Sequence, residues 1–250
     1  LHALAVVPTP RGDEDKIAEV LARIREEDPT FRASFDTETH ELVLHGLGEM
    51  HLNLVIERIK NQGVDVETKL PKIAYHETIM GRAEGHYRHK KQSGGAGQFG
   101  EVKLRVEPLE RGGGFEFVDK IVGGVIPKGF MPAIEKGIRD IMRQGVVAGY
   151  PIEDVRVTVF DGKTHAVDSK EIAFRTAGKF AFRDAFLKAS PQILEPIVNI
   201  EVTTPGNAVG AITGDLSSRR GRVFATDVMS SGAAVVKASV PLADMMDYEN

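Results

Sequence analysis

The sequence predicts an α+β chain in three successive regions, of which the first and last repeat one split βαβ pattern. Along the chain, apolar residues switch between period two and helical spacing. Prolines stand where the pattern restarts, at Pro71 and again at Pro191 and Pro196. From residue 197 the strand and helix signals of the opening recur in the same order. The expected regions are therefore 1–72, 73–192 and 193–250.

In the first region, residues 3–8 are apolar and valine-rich and stop at Pro8 and Pro10, which reads as a strand. Residues 13–27 form a helix with Ile17, Val20, Leu21 and Ile24 on its apolar face. Asp13, Glu14 and Asp15 suit its positive N-terminal end. Asp28-Pro29 stops it, because the residue before proline avoids the α region. Residues 31–35 and 42–44 read as paired strands. A second helix starts near Gly48, turns Leu52, Val55, Ile56 and Ile59 inward, and is capped by Gly63. Residues 64–68 are the last strand. The order βαββαβ is the ferredoxin-like one.

The second region opens with strands at 75–79, 83–91 and 102–108, and 115–121 continues the pattern. Pro132 suits the first turn of a helix whose inner face is Ile134, Ile138, Ile141 and Met142. Residues 155–160 alternate as a strand, and Asp161-Gly162 is a hairpin-turn signal. Asp168, with Glu171 three positions on, fits the N-cap of a helix that buries Phe174, Ala177, Ala181, Phe182 and Ala185. Gly178 on that face admits close helix packing. In the third region, 197–202, 223–228 and 234–240 read as strands and 209–216 as a helix. Residues 241–246 look like the first turn of a second helix, so this repeat is expected to lack its last helix turns and last strand.

Cysteine is absent, which excludes disulfides and thiol chemistry and fits a cytosolic setting. No apolar run is long enough to span a bilayer, and the first nine residues lack the basic lead of a secretory signal. A net charge of −4 excludes a molecule that attracts polyanions over its whole surface. A local basic patch remains. Arg82, Arg88, Lys90, Lys91 and Lys103 oppose only Glu84 and Glu101, with His86 and His89 between them. A solvated hairpin face accounts for that patch equally well.

Within it, Gly95, Gly97 and Gly100 satisfy G-x-G-x-x-G, the mark of a dinucleotide-binding enzyme. That fingerprint needs a helix after it, whereas 101–107 alternate as a strand. With no helix N-terminus to receive a pyrophosphate, the stretch reads as a glycine-rich loop joining two antiparallel strands. Gly162-Lys163-Thr164 looks like the end of a P-loop, but Val157 stands where that motif needs glycine. His86 and His89 fall on opposite faces of a strand, against a metal site. Glu49 and His51 read as helix-end electrostatics and capping. Nothing around Ser230-Ser231-Gly232 supplies a base to a nucleophile. No catalytic residue, metal or cofactor is expected.

Seven stretches agree on one family: residues 27–31, Gly46-Leu47-Gly48-Glu49-Met50-His51-Leu52, residues 91–100, Gly123-Gly124-Val125-Ile126-Pro127, His165-Ala166-Val167-Asp168-Ser169, Leu194-Glu195-Pro196, and residues 214–221. In order, and over essentially the whole chain, they resemble the C-terminal half of bacterial elongation factor G, its domains III, IV and V. The resemblance implies two ferredoxin-like domains, the second incomplete, flanking a ribosomal-protein-like βαβ domain with a left-handed crossover, against the usual right-handed rule. It implies the ribosome-binding arm of a translational GTPase that promotes tRNA–mRNA translocation, a cytoplasmic monomer. The family's GTP- and Mg-binding domain and β-barrel have no counterpart here, so the chain itself is expected to bind no GTP and to be no enzyme.

The residues matching the family's tip, which enters the A site on the small ribosomal subunit to hold tRNA and mRNA, are Gln92, Ser93, Gly94, Gly95, Ala96, Gly97, Gln98, Phe99, Gly100 and His165. Glycines let backbone approach RNA phosphates closely, and a histidine can serve a sugar hydroxyl. Arg219 and Arg220 match the part of domain V that faces large-subunit RNA, although pairing with a helix C-terminus also explains them. The family often carries a basic residue or serine where Ala96 stands, which weakens one expected contact. A specialised paralogue, such as a ribosome-protection protein that expels tetracycline, fits the same residues.

Overall fold

The computed structural model describes residues 2–9, 14–91, 97–230, 232–246 and 248. The chain divides into two compact units, one of Leu1–Ala74 with Glu195–Asn250 and one of Tyr75–Leu194. In the first unit, β1 (His2–Pro8), α1 (Glu14–Glu27), β2 (Arg32–Asp36), β3 (Glu41–Gly46), α2 (Glu49–Asn61) and β4 (Val66–Lys69) build a sheet in the order β2-β3-β1-β4. Every neighbouring pair in it is antiparallel, as the ferredoxin-like arrangement requires. Ile17, Val20, Leu21 and Ile24 of α1 and Leu52, Val55, Ile56 and Ile59 of α2 close one core over Val6, Leu44 and Val66. Gly63 ends α2 with φ +80°, the left-handed conformation of a C-terminal cap. Of Glu49 and His51, it is His51 that ties down the helix entry. Its Nδ1 accepts the Leu47 N–H at 3.0 Å, and its Nε2 lies 2.7 Å from Asp28 Oδ2.

The second unit contains β5 (His76–Ile79), β6 (Ala83–Lys91), β7 (Gln98–Pro108), β8 (Phe115–Asp119), α3 (Met131–Gln144), β9 (Val155–Lys163), α4 (Glu171–Lys188) and β10 (Pro191–Leu194). Its main sheet runs β6-β7-β9-β8. β8 and β9 are parallel, which requires the crossover that α3 supplies. β5 and β10 pair separately. α4 lies across β6 and β7 and against α3. Phe174, Ala177, Ala181, Phe182 and Ala185 of α4 are fully buried there. A Cβ at Gly178 would stand 2.9 Å from the Ile134 backbone oxygen, so the two helices meet through that glycine.

Three local expectations are corrected. β7 begins at Gln98 rather than 102, because Phe99 and Gly100 pair with Lys90 and His89. Asp161-Gly162 is no hairpin turn. Both lie inside β9, where Gly162 pairs with Val102 and the missing Cβ makes room for the Glu101 carbonyl and the Ile126 side chain. Asp168 does not cap α4. Lys170 holds the N-cap position with no side-chain hydrogen bond, because Asp168 is turned toward Gly97 and His165.

The last part of the chain belongs to the first unit. β11 (Ile197–Pro205), α5 (Val209–Ser218), β12 (Arg222–Val228) and β13 (Ala233–Pro241) give an antiparallel sheet in the order β11-β13-β12. This is the order of β1, β3 and β2 again. Leu216, Val236, Ala238 and Val240 form its core. The turn at Leu242–Met245 is 3-10 rather than α.

Candidate nucleic-acid interface

β6 and β7 end with Lys91 opposite Gln98 and Lys90 opposite Phe99. The residues that join them, Gln92, Ser93, Gly94, Gly95 and Ala96, lie outside the described residues. The loop that follows β9 meets this end of the hairpin. The Phe99 N–H donates to the Asp168 carbonyl at 2.8 Å, and Phe99 bridges to Ser169 in parallel. One hydroxyl then spans both segments. Ser169 Oγ accepts the His165 N–H at 2.8 Å and donates to the Phe99 carbonyl at 3.2 Å. The Phe99 and His165 rings stand 6.0 Å apart. Gly97, Gln98, Phe99, Gly100 and His165 are thus brought to one end of the sheet.

Two of the expected RNA-facing glycines have a partner inside the chain. A Cβ on Gly97 would fall 2.5 Å from Asp168 Oδ1, and one on Gly100 would fall 3.1 Å from the Ala173 and Phe174 backbone. Both residues are small so that the hairpin can meet the loop and the first turn of α4. Gln98 Oε1 pairs with His89 Nε2 at 3.0 Å. His165 is half-exposed. Its Nδ1 accepts the Asp168 N–H at 3.2 Å and the Val167 N–H at 3.4 Å. With two donors on it, Nδ1 presents its lone pair, although Asp168 Oδ2 is 3.4 Å away. In a neutral ring whose Nδ1 accepts these N–H groups, Nε2 carries the proton and is the hydrogen-bond donor.

Arg219 and Arg220 lie in the first unit, just past α5. Arg219 donates to the Asp244 carbonyl at 2.7 Å and to Asp215 Oδ2 at 3.2 Å, and it lies over the Tyr248 ring. Arg220 takes φ +59°. Its guanidinium binds both Glu195 oxygens, at 2.6 and 3.0 Å, and Asp244 Oδ2 at 2.8 Å. Those carboxylates, Glu195 first, hold its pKa above the ordinary arginine value. The partners seen are the Asp215, Glu195 and Asp244 carboxylates and the Asp244 main-chain carbonyl.

Neither candidate phosphate loop has the required context. β7 runs unbroken from Gly100 to Pro108, so a strand and not a helix follows the glycines. Gly162-Lys163-Thr164 is the end of β9, with Gly162 engaged in the sheet. Sequence reasoning missed the joining role of Ser169. Its only signal was membership of the matched stretch at residues 165–169.

Three family models match the chain in turn. They are Elongation Factor G, domain III over residues 1–70, Elongation factor G, domain IV over 71–190 and Elongation factor G C-terminus over 192–250. The chain belongs to the elongation factor G family. It is 51% identical, over all its length, to an elongation factor G-like protein of Thermotoga maritima. It is 48% identical, over 98% of its length, to elongation factor G of Aquifex pyrophilus. It spans 37% and 35% of those two relatives. A crystal structure from Thermus thermophilus is similar to it with a TM-score of 0.81 and 41% identity, covering 99% of this chain and 37% of that one.

Proposed function

We propose that this chain is the ribosome-engaging arm of a translational elongation factor, and that the joined tip of its second unit holds tRNA and mRNA in the ribosomal A site during translocation. One observation carries the reading. The glycine hairpin and the His165 loop, far apart in sequence and both matched to the family, meet at one end of the sheet through Phe99, Asp168 and Ser169. A surface that accepts every codon must use shape, phosphate and 2′-hydroxyl contacts rather than base readout. The Nε2–H of His165 suits a phosphate or a ribose hydroxyl. Arg219 and Arg220 are the candidates for a contact with large-subunit RNA, which would draw them from Glu195 and Asp244. On this reading GTP and Mg are handled by a part of the parent protein outside this chain, and the setting is the cytoplasm. Among the described residues no helix is long and apolar enough to cross a membrane.

The test is His165→Ala in the full-length parent. Loss of one hydrogen bond, about 0.5–1.5 kcal/mol, slows single-turnover translocation up to about tenfold. Ribosome-stimulated GTP hydrolysis stays nearly unchanged, and the melting temperature falls only slightly as the Val167 and Asp168 N–H groups lose the imidazole acceptor. Equal loss of hydrolysis and translocation, or normal translocation, overturns the proposal.

A further inference from the structure

The basic side chains of the second unit fall into two sets. On the sheet face opposite α4, cations are matched with carboxylates on neighbouring strands. Arg105 binds Glu84 at 2.6 Å, Arg88 and His86 bind Glu101 at 2.6 and 2.8 Å, and Lys103 binds Asp161 at 2.7 Å. Arg156 binds Glu116 at 2.7 Å, and Arg82 reaches Glu107 at 3.5 Å.

At the tip this matching stops. Lys90 and Lys91 end β6 and Lys163 ends β9, and all three are exposed. None has a carboxylate within ion-pair distance among the described residues, although Asp161, which Lys103 holds, is near enough to Lys163 to feel its charge. Nearby carboxylates are already engaged. Arg88 and His86 hold Glu101, Lys103 holds Asp161, and Asp168 lies beside Gly97 and His165. The register sets Lys90 opposite Phe99 and Lys163 opposite Glu101, so both lysines lie on the same sheet face, on either side of β7. Strand spacing and rise put their Cα atoms roughly 12 Å apart. Two long cationic side chains at that separation can meet phosphates a few nucleotides apart on one strand. Unmatched cations clustered on a chain of net charge −4 repel one another until an anion arrives.

We propose that Lys90, Lys91 and Lys163 form a phosphate-binding rim around the His165 loop that takes the sugar–phosphate backbone of RNA. The inference rests on the tip reading above and adds the residues that supply its charge. Lysine is a flexible point charge without arginine's fixed fork, so it holds a backbone without fixing its register. That suits RNA that must move through the site.

The test measures binding of a short labelled single-stranded RNA to the chain by fluorescence anisotropy across a salt series. Each phosphate contact adds about 0.7 to the log–log salt slope for single strands. The pair Lys90→Gln with Lys163→Gln therefore flattens the slope by about 1.4, or about 25-fold in affinity at 0.1 M salt. The pair Arg82→Gln with Arg105→Gln removes the same charge from positions already matched, to Glu107 and Glu84, and leaves the slope nearly unchanged. Melting temperatures of both variants show that each is folded. Equal flattening by the two pairs, no effect of the tip pair, or no salt-dependent RNA binding by the unmodified chain overturns the rim. If the tip pair flattens the slope but His165→Ala translocates normally, the rim stands and the A-site reading falls. If His165→Ala slows translocation and the tip pair does nothing, the reading stands and the rim falls.

Discussion

Glu77 is fully buried, and its carboxylate holds a whole loop by the backbone. Oε2 accepts the N–H groups of Val146 and Val147 at 2.7 and 2.9 Å. Oε1 accepts those of Ala148, Gly149 and Tyr150 at 2.7, 3.0 and 3.2 Å. Its own N–H donates to the Pro151 carbonyl at 2.8 Å. In Glu77→Gln the amide oxygen can replace Oε1, but the NH2 group then faces the donors of Val146 and Val147. Two buried N–H groups lose their acceptor, at about 1–3 kcal/mol each, so the cost is about 2–6 kcal/mol. At about 3–6 °C per kcal/mol for a unit of this size, the melting temperature falls by at least about 6 °C.

The substitution also changes the pH dependence. Burial pushes the Glu77 carboxyl up, and the backbone donors pull it down further, which leaves it below the usual carboxylate value. The anchor is therefore fully present above the unfolded pKa of about 4.3 and is lost as pH falls through the lower folded value. Calorimetric scans of both proteins should show a gap that is full at neutral pH and shrinks in acid. Hydrogen exchange at residues 146–150 should accelerate in the variant. A gap of under about 1 °C at neutral pH, or one of constant size into acid, refutes the reasoning.

Two further outcomes follow from the first unit. The Thr30 hydroxyl and then His51 hold the Asp28 carboxyl at about 2. Asp28→Asn should lower the melting temperature at neutral pH, and the difference should fade only as pH falls from the unfolded value toward about 2, as melting scans at stepped pH will show. A difference independent of pH would separate Asp28 from that ionised contact. Replacing Arg219 and Arg220 together by alanine in the full-length parent should flatten the salt slope of ribosome binding by about 1.4–1.8. It should also lower thermal stability, because Glu195 and Asp244 lose their partner. An unchanged slope with lowered stability would assign both arginines to the fold alone.

Much of the architecture is local and was readable from periodicity. The inner faces of α1 through Ile17, Val20, Leu21 and Ile24, and of α3 through Ile134, Ile138, Ile141 and Met142, are the buried ones. The repeated strand order of the first and last regions emerges as two antiparallel sheets. The alternation after Gly100 reads as a strand, and β7 is a strand there, because period two cannot be a helix. Gly162 was misread because a turn signal depends on two residues, while its place in β9 depends on Glu101 and Ile126, distant in sequence.

Spacing along the chain was enough for most strands and helices, for the faces they bury and for the family resemblance, but not for the start of β7, the end of β9 or the short strand β10, whose pairing partners are distant in sequence. Only the tertiary structure decided which charges are neutralised and which side chains meet. Arg219 and Arg220 look like ready RNA contacts in the sequence, yet Glu195 and Asp244 engage Arg220, while Asp215 and the Asp244 carbonyl engage Arg219. Lys90, Lys91 and Lys163 look no different, yet no carboxylate of the described residues forms an ion pair with them. Ser169 joins the nearby His165 to Phe99, which stands 70 positions before the serine in the chain. That contact exists only because β7 and the loop after β9 come together on the same side of the sheet, and no local pattern encodes such a meeting.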